Sequence, residues 1–251
     1  MFKVAYHVPD DGGCTYYRVL TPMLTCRRNA ALGAKPIAKN DDLLRAAGTM
    51  QEADIFLCSR ISDDPLLPMI KGFREKGKKI IVDYDDDLFN VSPFSPFYDE
   101  LGLSEVRTTV NGQGIDLWKD GVNNFHLKTN RERHDAIKRL CAAVDMITVT
   151  TPNLAEAYLP YNENVRVLPN CVDLRLWQKQ PFKDRPTIRM GWFGGSSHYE
   201  DWCMVAPAVK EILRQYPYVK LVIMGAKFDG TLKGMAQTQI EHHQWVHTQA
   251  Y

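Results

Sequence analysis

Residues 187–202 read TIRMGWFGGSSHYEDW, and this stretch decides the kind of chain. An apolar run of strand length ends in Gly194, Gly195, Ser196 and Ser197, then meets His198 and two acids. A strand running through small residues straight into a helix is the repeating joint of α/β proteins. Glycines let backbone approach a ligand closely, and the N–H groups that open a helix attract anions. The spacing is neither Gly-x-Gly-x-x-Gly nor a Walker loop. Alone, the turn therefore reads equally as a phosphate cradle or as a tight corner. His198 reads alone as a surface histidine, or as a donor to phosphate or sugar.

The same joint recurs on either side. FKVAYHV (2–8) is a strand, PDDGG a turn, and CTYYRVLTPMLTCRRNAALG a helix in which Pro22 marks a kink or a late start. Apolar strands follow at 53–60, 78–89, 146–151 and from 164, separated by helical stretches, and another spans 219–225. From about 90 to 128 periodicity fades, and a loop of that length is functional or disordered. The alternation specifies an α/β fold of doubly wound parallel sheets. A polar stretch with two prolines, QKQPFKDRP (178–186), is the expected linker, dividing a first domain (1–177) from a second (187–251). The second holds only two clear strands, fewer than such a sheet normally needs, so it is expected to be incomplete.

In doubly wound sheets ligands bind beyond the carboxyl ends of the strands. Gly12, Gly13 and Arg18 stand there after the first strand, facing an anion or simply making a turn and a solvated helix. VDYDDDLF places Asp85, Asp86 and Asp87 where a buried strand exits. Adjacent carboxylates repel, so such a group wants a cation, a basic partner or hydroxyl ligands. Sugar hydroxyls, a general base, or Mg²⁺ or Mn²⁺ all fit, with metal the least favoured.

With 31 basic and 30 acidic side chains, the +1 net charge leaves no broad electrostatic footprint for nucleic acid or anionic lipid. No apolar run approaches the roughly 20 residues that span a bilayer. Six cysteines without a Cys-x-x-Cys pair argue against a zinc site and fit reduced thiols in a cytoplasmic protein.

Taken together, IRMGWFGGSSHYED, GGCTYYR, DYDDDLF and VRVLPNCVDLRLW resemble the retaining "glycosyl transferases group 1" family of GT-B-fold glycosyltransferases. The acidic stretch is similar to one in a bacterial and phage branch. The resemblance implies two Rossmann-like domains in the GT-B arrangement, crossing at VRVLPNCVDLRLW. It implies transfer of a sugar from a nucleotide-sugar donor to an acceptor hydroxyl, with retention. By position it implies that Gly194, Gly195, Ser196 and Ser197 contact the donor diphosphate with His198 close by. Gly12 and Gly13 would face it from the other side, and Arg18 would neutralise the leaving group. Asp85, Asp86 and Asp87 would face the acceptor, where many members carry a histidine instead. No essential cofactor is expected, a divalent cation included; the nucleotide-sugar is substrate.

The family completes its donor site with two glutamates spaced eight apart, which the sequence to Tyr251 does not contain. A fragment, or a split enzyme completed by a second chain, is the expectation. The acceptor stays open among glycan, lipid-linked sugar, protein and modified nucleic-acid base. Two other classes fit the same residues: a nucleotide-sugar epimerase, and a non-catalytic binding or assembly protein that keeps the fold.

Overall fold

The computed structural model describes residues 2–10, 12–27, 32–37, 51–62, 66–110, 112–172, 174 and 186–244. Two compact units emerge: Met1–Asn90 with His126–Gln178, and Val91–Phe125 with Lys179–Tyr251. Residues 178–185 of the expected linker, and residues 173 and 175–177 of the expected crossing, lie outside the described residues.

The first unit is built on six parallel strands: β1 (Phe2–His7), β2 (Leu32–Ile37), β3 (Ile55–Ser59), β4 (Lys79–Tyr84), β7 (Met146–Val149) and β8 (Val165–Val167). Their order is β2-β1-β3-β4-β7-β8. The chain steps from β1 to β2 on one side, then returns to place β3 on the other, so the winding reverses between β1 and β3. Ile80, Val82 and Tyr84 of central β4 are fully buried, as are Ile147 and Val149 of β7. These five share one face; on the other, Asp83 is buried and Ile81 half-buried, and cover on both faces is what a parallel sheet requires.

Helical turns after β1 run as α1 (Gly13–Thr15), a π-helical stretch (Tyr16–Leu20) and α2 (Thr21–Arg27). Thr21 N donates to Tyr16 O, five residues back, directly before Pro22. Proline has no N–H to offer the Arg18 carbonyl, and the widened turn takes up the mismatch. The sequence signal of a kink is thus met by a π-bulge, which carries Arg18 and Val19 inward. The covering helices α3 (Leu66–Glu75) and α5 (Leu127–Ala143) bury Ile70 and Phe73, and Ile137 and Leu140. Short α6 (Pro152–Tyr158) starts with proline in its first turn and is capped by the Thr151 side chain, which accepts from Leu154 N at 3.2 Å.

The second unit holds the parallel sheet β9 (Ile188–Gly194), β10 (Val219–Gly225) and β11 (Ile240–His243), in the order β11-β10-β9. Helix α7 (Tyr199–Gln215) buries Trp202, Ala206, Val209 and Leu213 against Val219, Leu221 and Ile223. Spacings of four, three and four put those side chains on one stripe, each large one contributing roughly 1.5–3 kcal/mol when buried. The 90–128 region, which has no helical or strand period, instead forms α4 (Tyr98–Leu101) and an antiparallel hairpin, β5 (Val106–Val110) with β6 (Gln113–Trp118). Tyr98, Trp118 and Phe125 cluster within 5.5–5.8 Å of one another.

Candidate functional site

In the first unit, the chemistry gathers where the winding reverses, at the carboxyl ends of β1, β3 and β4. Crevices at such a switch point are where α/β sheets bind ligands. Asp10, after β1, accepts from Gly12 N at 2.8 Å and from Thr15 Oγ1 at 2.7 Å, and it pairs with Arg60 after β3. Arg60 Nε reaches Asp85 Oδ1, after β4, at 3.8 Å. One guanidinium therefore bridges the carboxylates of two different strand ends. Burial alone would raise the Asp10 pKa, but the Thr15 and Gly12 hydrogen bonds and the Arg60 charge hold it below the usual carboxylate value.

Arg60 has φ of 50°, in the left-handed region that a non-glycine residue adopts only at a cost of roughly 1–3 kcal/mol. Its N–H donates to the Asp83 carbonyl at 3.0 Å, which fixes that bend against β4. The strained backbone is what turns the side chain between Asp10 and Asp85. Neither Asp10 nor Arg60 stands out in the sequence. Each is the charged residue that follows an apolar strand at the switch point, and that position was the available signal.

The three aspartates separate. Strand β4 ends at Tyr84, so alternation does not carry Asp85 and Asp87 onto one face. The Asp85 side chain is only 7% exposed, and its Oδ1 has no hydrogen-bond partner among the described residues. It lies beside Cys14, an exposed residue whose thiol is pushed up to about 12 by local desolvation first and then by its hydrogen bond to Asp85 and that charge. Asp86 is exposed, with its carbonyl accepting from Tyr158 Oη at 2.9 Å. The Asp87 carboxylate closes its own turn, accepting from Phe89 N at 3.0 Å. Tyr158 also stacks on Tyr84 at 4.7 Å, so α6 fixes the loop that presents Asp85.

Gly12 and Gly13 open the helical turns beside Asp10. A Cβ on Gly12 would stand 3.0 Å from Asp10 Oδ1, whereas one on Gly13 would meet nothing within 4 Å among the described residues. Arg18 is placed differently from an anion-facing residue. It is 3% exposed, and its Nε and Nη2 donate to Asp83 at 2.9 and 2.6 Å. Nη1 donates to the Leu168 carbonyl and, at 3.2 Å, to Asn170 Oδ1, while Thr148 Oγ1 donates to Asp83 at 2.5 Å. This bidentate pair ties the first helical turns, β4, β7 and the exit of β8 into one buried knot.

In the second unit, Gly194, Gly195, Ser196, Ser197 and His198 come together between β9 and α7. Ser196–His198 form a 3₁₀ turn leading directly into the 17-residue helix, and no side chain among the described residues caps it. Gly195, at φ −78° and ψ −178°, has a conformation open to any residue, and among the described residues a Cβ there would meet only Ser197 Oγ, at 3.8 Å. At Gly194 a Cβ would lie 3.4–3.5 Å from His198, an ordinary van der Waals contact. His198 Nδ1 lies 2.8 Å from Asp201 Oδ2 across one turn. The turn is exposed from Ser196 to His198.

Among the described residues no group of three or more His, Cys, Asp or Glu side chains is placed to hold a metal ion, and no helix is long and apolar enough to cross a membrane. No protein-family model and no curated protein matches the sequence. Among solved structures, the chain is similar to the S. aureus MnaA–UDP co-structure at 13% identity and a TM-score of 0.47, over 98% of this chain and 69% of that one. It is similar to TarM at 12% identity and a TM-score of 0.45, over 78% of this chain and 33% of that one. It is also similar to UDP-GlcNAc 2-epimerase from Neisseria meningitidis bound to UDP-GlcNAc, at 10% identity and a TM-score of 0.45, over 98% and 73%. The chemistry at each strand end is carried by this chain's own side chains.

Proposed function

We propose that this chain acts on a nucleotide-sugar, as a glycosyltransferase that passes the sugar to an acceptor hydroxyl with retention. The observation that supports this best is Gly195. Among the described residues neither backbone conformation nor packing asks for glycine there and no side chain caps the turn, yet it opens a long helix. A ligand approaching the backbone closely supplies the missing reason, and a diphosphate suits the N–H groups and helix dipole. Ser196, Ser197 and His198 add donors at the same turn.

Asp85 is the carboxylate suited to an acceptor. Its buried Oδ1, with no hydrogen-bond partner among the described residues, is already desolvated and accepts a hydroxyl donor well. Arg60 stands beside it as the carboxylate's charge partner. Asp86, exposed at the rim, and Asp87, engaged in its turn, serve the acceptor less directly. Gly12 and Gly13 leave room at the same edge. Arg18 serves by holding the strand ends in place, since four of its five N–H donors are engaged in the buried knot.

Calorimetric titration with a panel of nucleoside diphosphates tests this reading. One of them is expected to bind, and Gly195→Leu weakens it at least tenfold with the melting temperature unchanged. Asp85→Asn is expected to lower turnover with donor affinity retained. Failure of every nucleotide to bind overturns the reading. Nucleotide-sugar turnover that needs no acceptor replaces the transferase with an epimerase.

A further inference from the structure

Two successive Ser-Pro-Phe triplets, 92–94 and 95–97, begin the segment that joins the second unit. Each serine closes a turn on its own phenylalanine: Ser92 Oγ accepts from Phe94 N at 3.1 Å, and Ser95 Oγ from Phe97 N at 3.2 Å. Trp118 Nε1 donates to the Pro93 carbonyl at 2.7 Å, fastening the first turn to the hairpin. Proline fixes φ within both turns, so little freedom remains in the loop. A rigid loop that buries Tyr98 and Leu101 nonetheless leaves Phe94 40% and Phe97 52% exposed.

The position of Phe94 says what these rings are for. Its ring lies 5.2 Å from that of Tyr199, tilted by 49°. Tyr199 is the first residue of α7, directly after the Ser196–His198 turn, and it packs at 5.8 Å on buried Phe228. The exposed phenyl is thereby anchored to the core immediately beside the residues assigned to the diphosphate.

We propose that Phe94 and Phe97 form a stacking platform for the base of the nucleotide whose diphosphate rests on the 194–198 turn. This deepens the donor reading above and rests on it. A nucleoside diphosphate has one flat, weakly solvated part, the heterocycle, and a phenyl face rewards that part. A sugar ring presents hydroxyls that need donors and acceptors, which phenyl rings lack. Stacking of this kind is tolerant of base identity, because every base has a π-face. The platform therefore adds affinity and leaves the choice of base to other groups.

The test compares inorganic pyrophosphate with uridine and adenosine diphosphates, each titrated into the full chain. Both nucleotides are expected to bind more tightly than pyrophosphate. Phe94→Ala weakens both by about tenfold and leaves pyrophosphate unchanged. Phe94→Trp restores the nucleotides, and Phe97→Ala repeats the selective loss without touching the Tyr199 contact. Equal weakening of pyrophosphate by Phe94→Ala overturns the platform, as does a native chain that binds nucleotides no better than pyrophosphate; either leaves the diphosphate turn standing. A chain that binds none of the three overturns both readings.

Discussion

Arg18 and Arg60 show two uses of one residue type within a single sheet edge. Arg18 is buried with Asp83, both side chains 2% exposed, with four of its five donors engaged. Removing one member of such a pair leaves a buried charge alone, at a cost of roughly 3–5 kcal/mol. Arg18→Met is therefore expected to lower unfolding stability by about that much in urea titration, and Arg18→Met with Asp83→Leu to recover most of it. A single variant as stable as the parent would mean that Arg18 is available to a ligand. Of the residues discussed, Gly194 to His198 were legible because strand, turn and helix are contiguous there. Asp10 and Arg60 stand 50 positions apart and meet only because β3 returns beside β1, which is a property of the winding.

The elements repeat the contrast. Parallel strands announced themselves as apolar runs because both their faces are covered, and α7 did so by its buried stripe. The hairpin β5–β6 did not, since residues such as Arg107, Thr108 and Thr109 give no alternation against a core. Its one clear signal was the Asn111-Gly112 dipeptide, a strong hairpin mark, with Gly112 at φ 81°. Helix α6 carries more than its seven residues suggest, because Tyr158 at its end holds the Asp85–Asp87 loop. Thr151→Ala, which strips the cap, is expected to cost about 1 kcal/mol, and Thr151→Ser to cost little. Hydrogen exchange at Leu154 checks this directly: its amide is expected to exchange faster in the alanine variant alone.

For the whole molecule the scale is set by protons. Burial lowers the His7 pKa from 6.5, only partly opposed by Asp10, and His7 Nδ1 is buried without a hydrogen-bond partner among the described residues. The unfolded chain takes up that proton more readily than the folded one, so stability falls as pH drops below about 6.5. Asp10 and Asp145 are shifted the other way relative to their charge: ionised and paired, they stabilise the fold above about pH 4 and lose that contribution as pH falls through their lowered values. Melting temperature is thus expected to be level near pH 7–8, to decline below 6.5, and to decline again below 4. His7→Phe is expected to remove the first decline and keep the second, as calorimetry across that range would record.

The grouping of Val91–Phe125 with Lys179–Tyr251 has a consequence for biosynthesis. The hairpin leaves the ribosome well before β9, α7 and β10 exist to receive it. At roughly 5–20 residues per second, it waits some seconds for its partners. During that interval the finished β5–β6 ribbon has exposed edges and nowhere to dock, and nascent chains in that state are the ones chaperones find. A gene that encodes only 179–251 would omit the ribbon altogether. Whoever wishes to make the second unit alone must splice the two coding segments together.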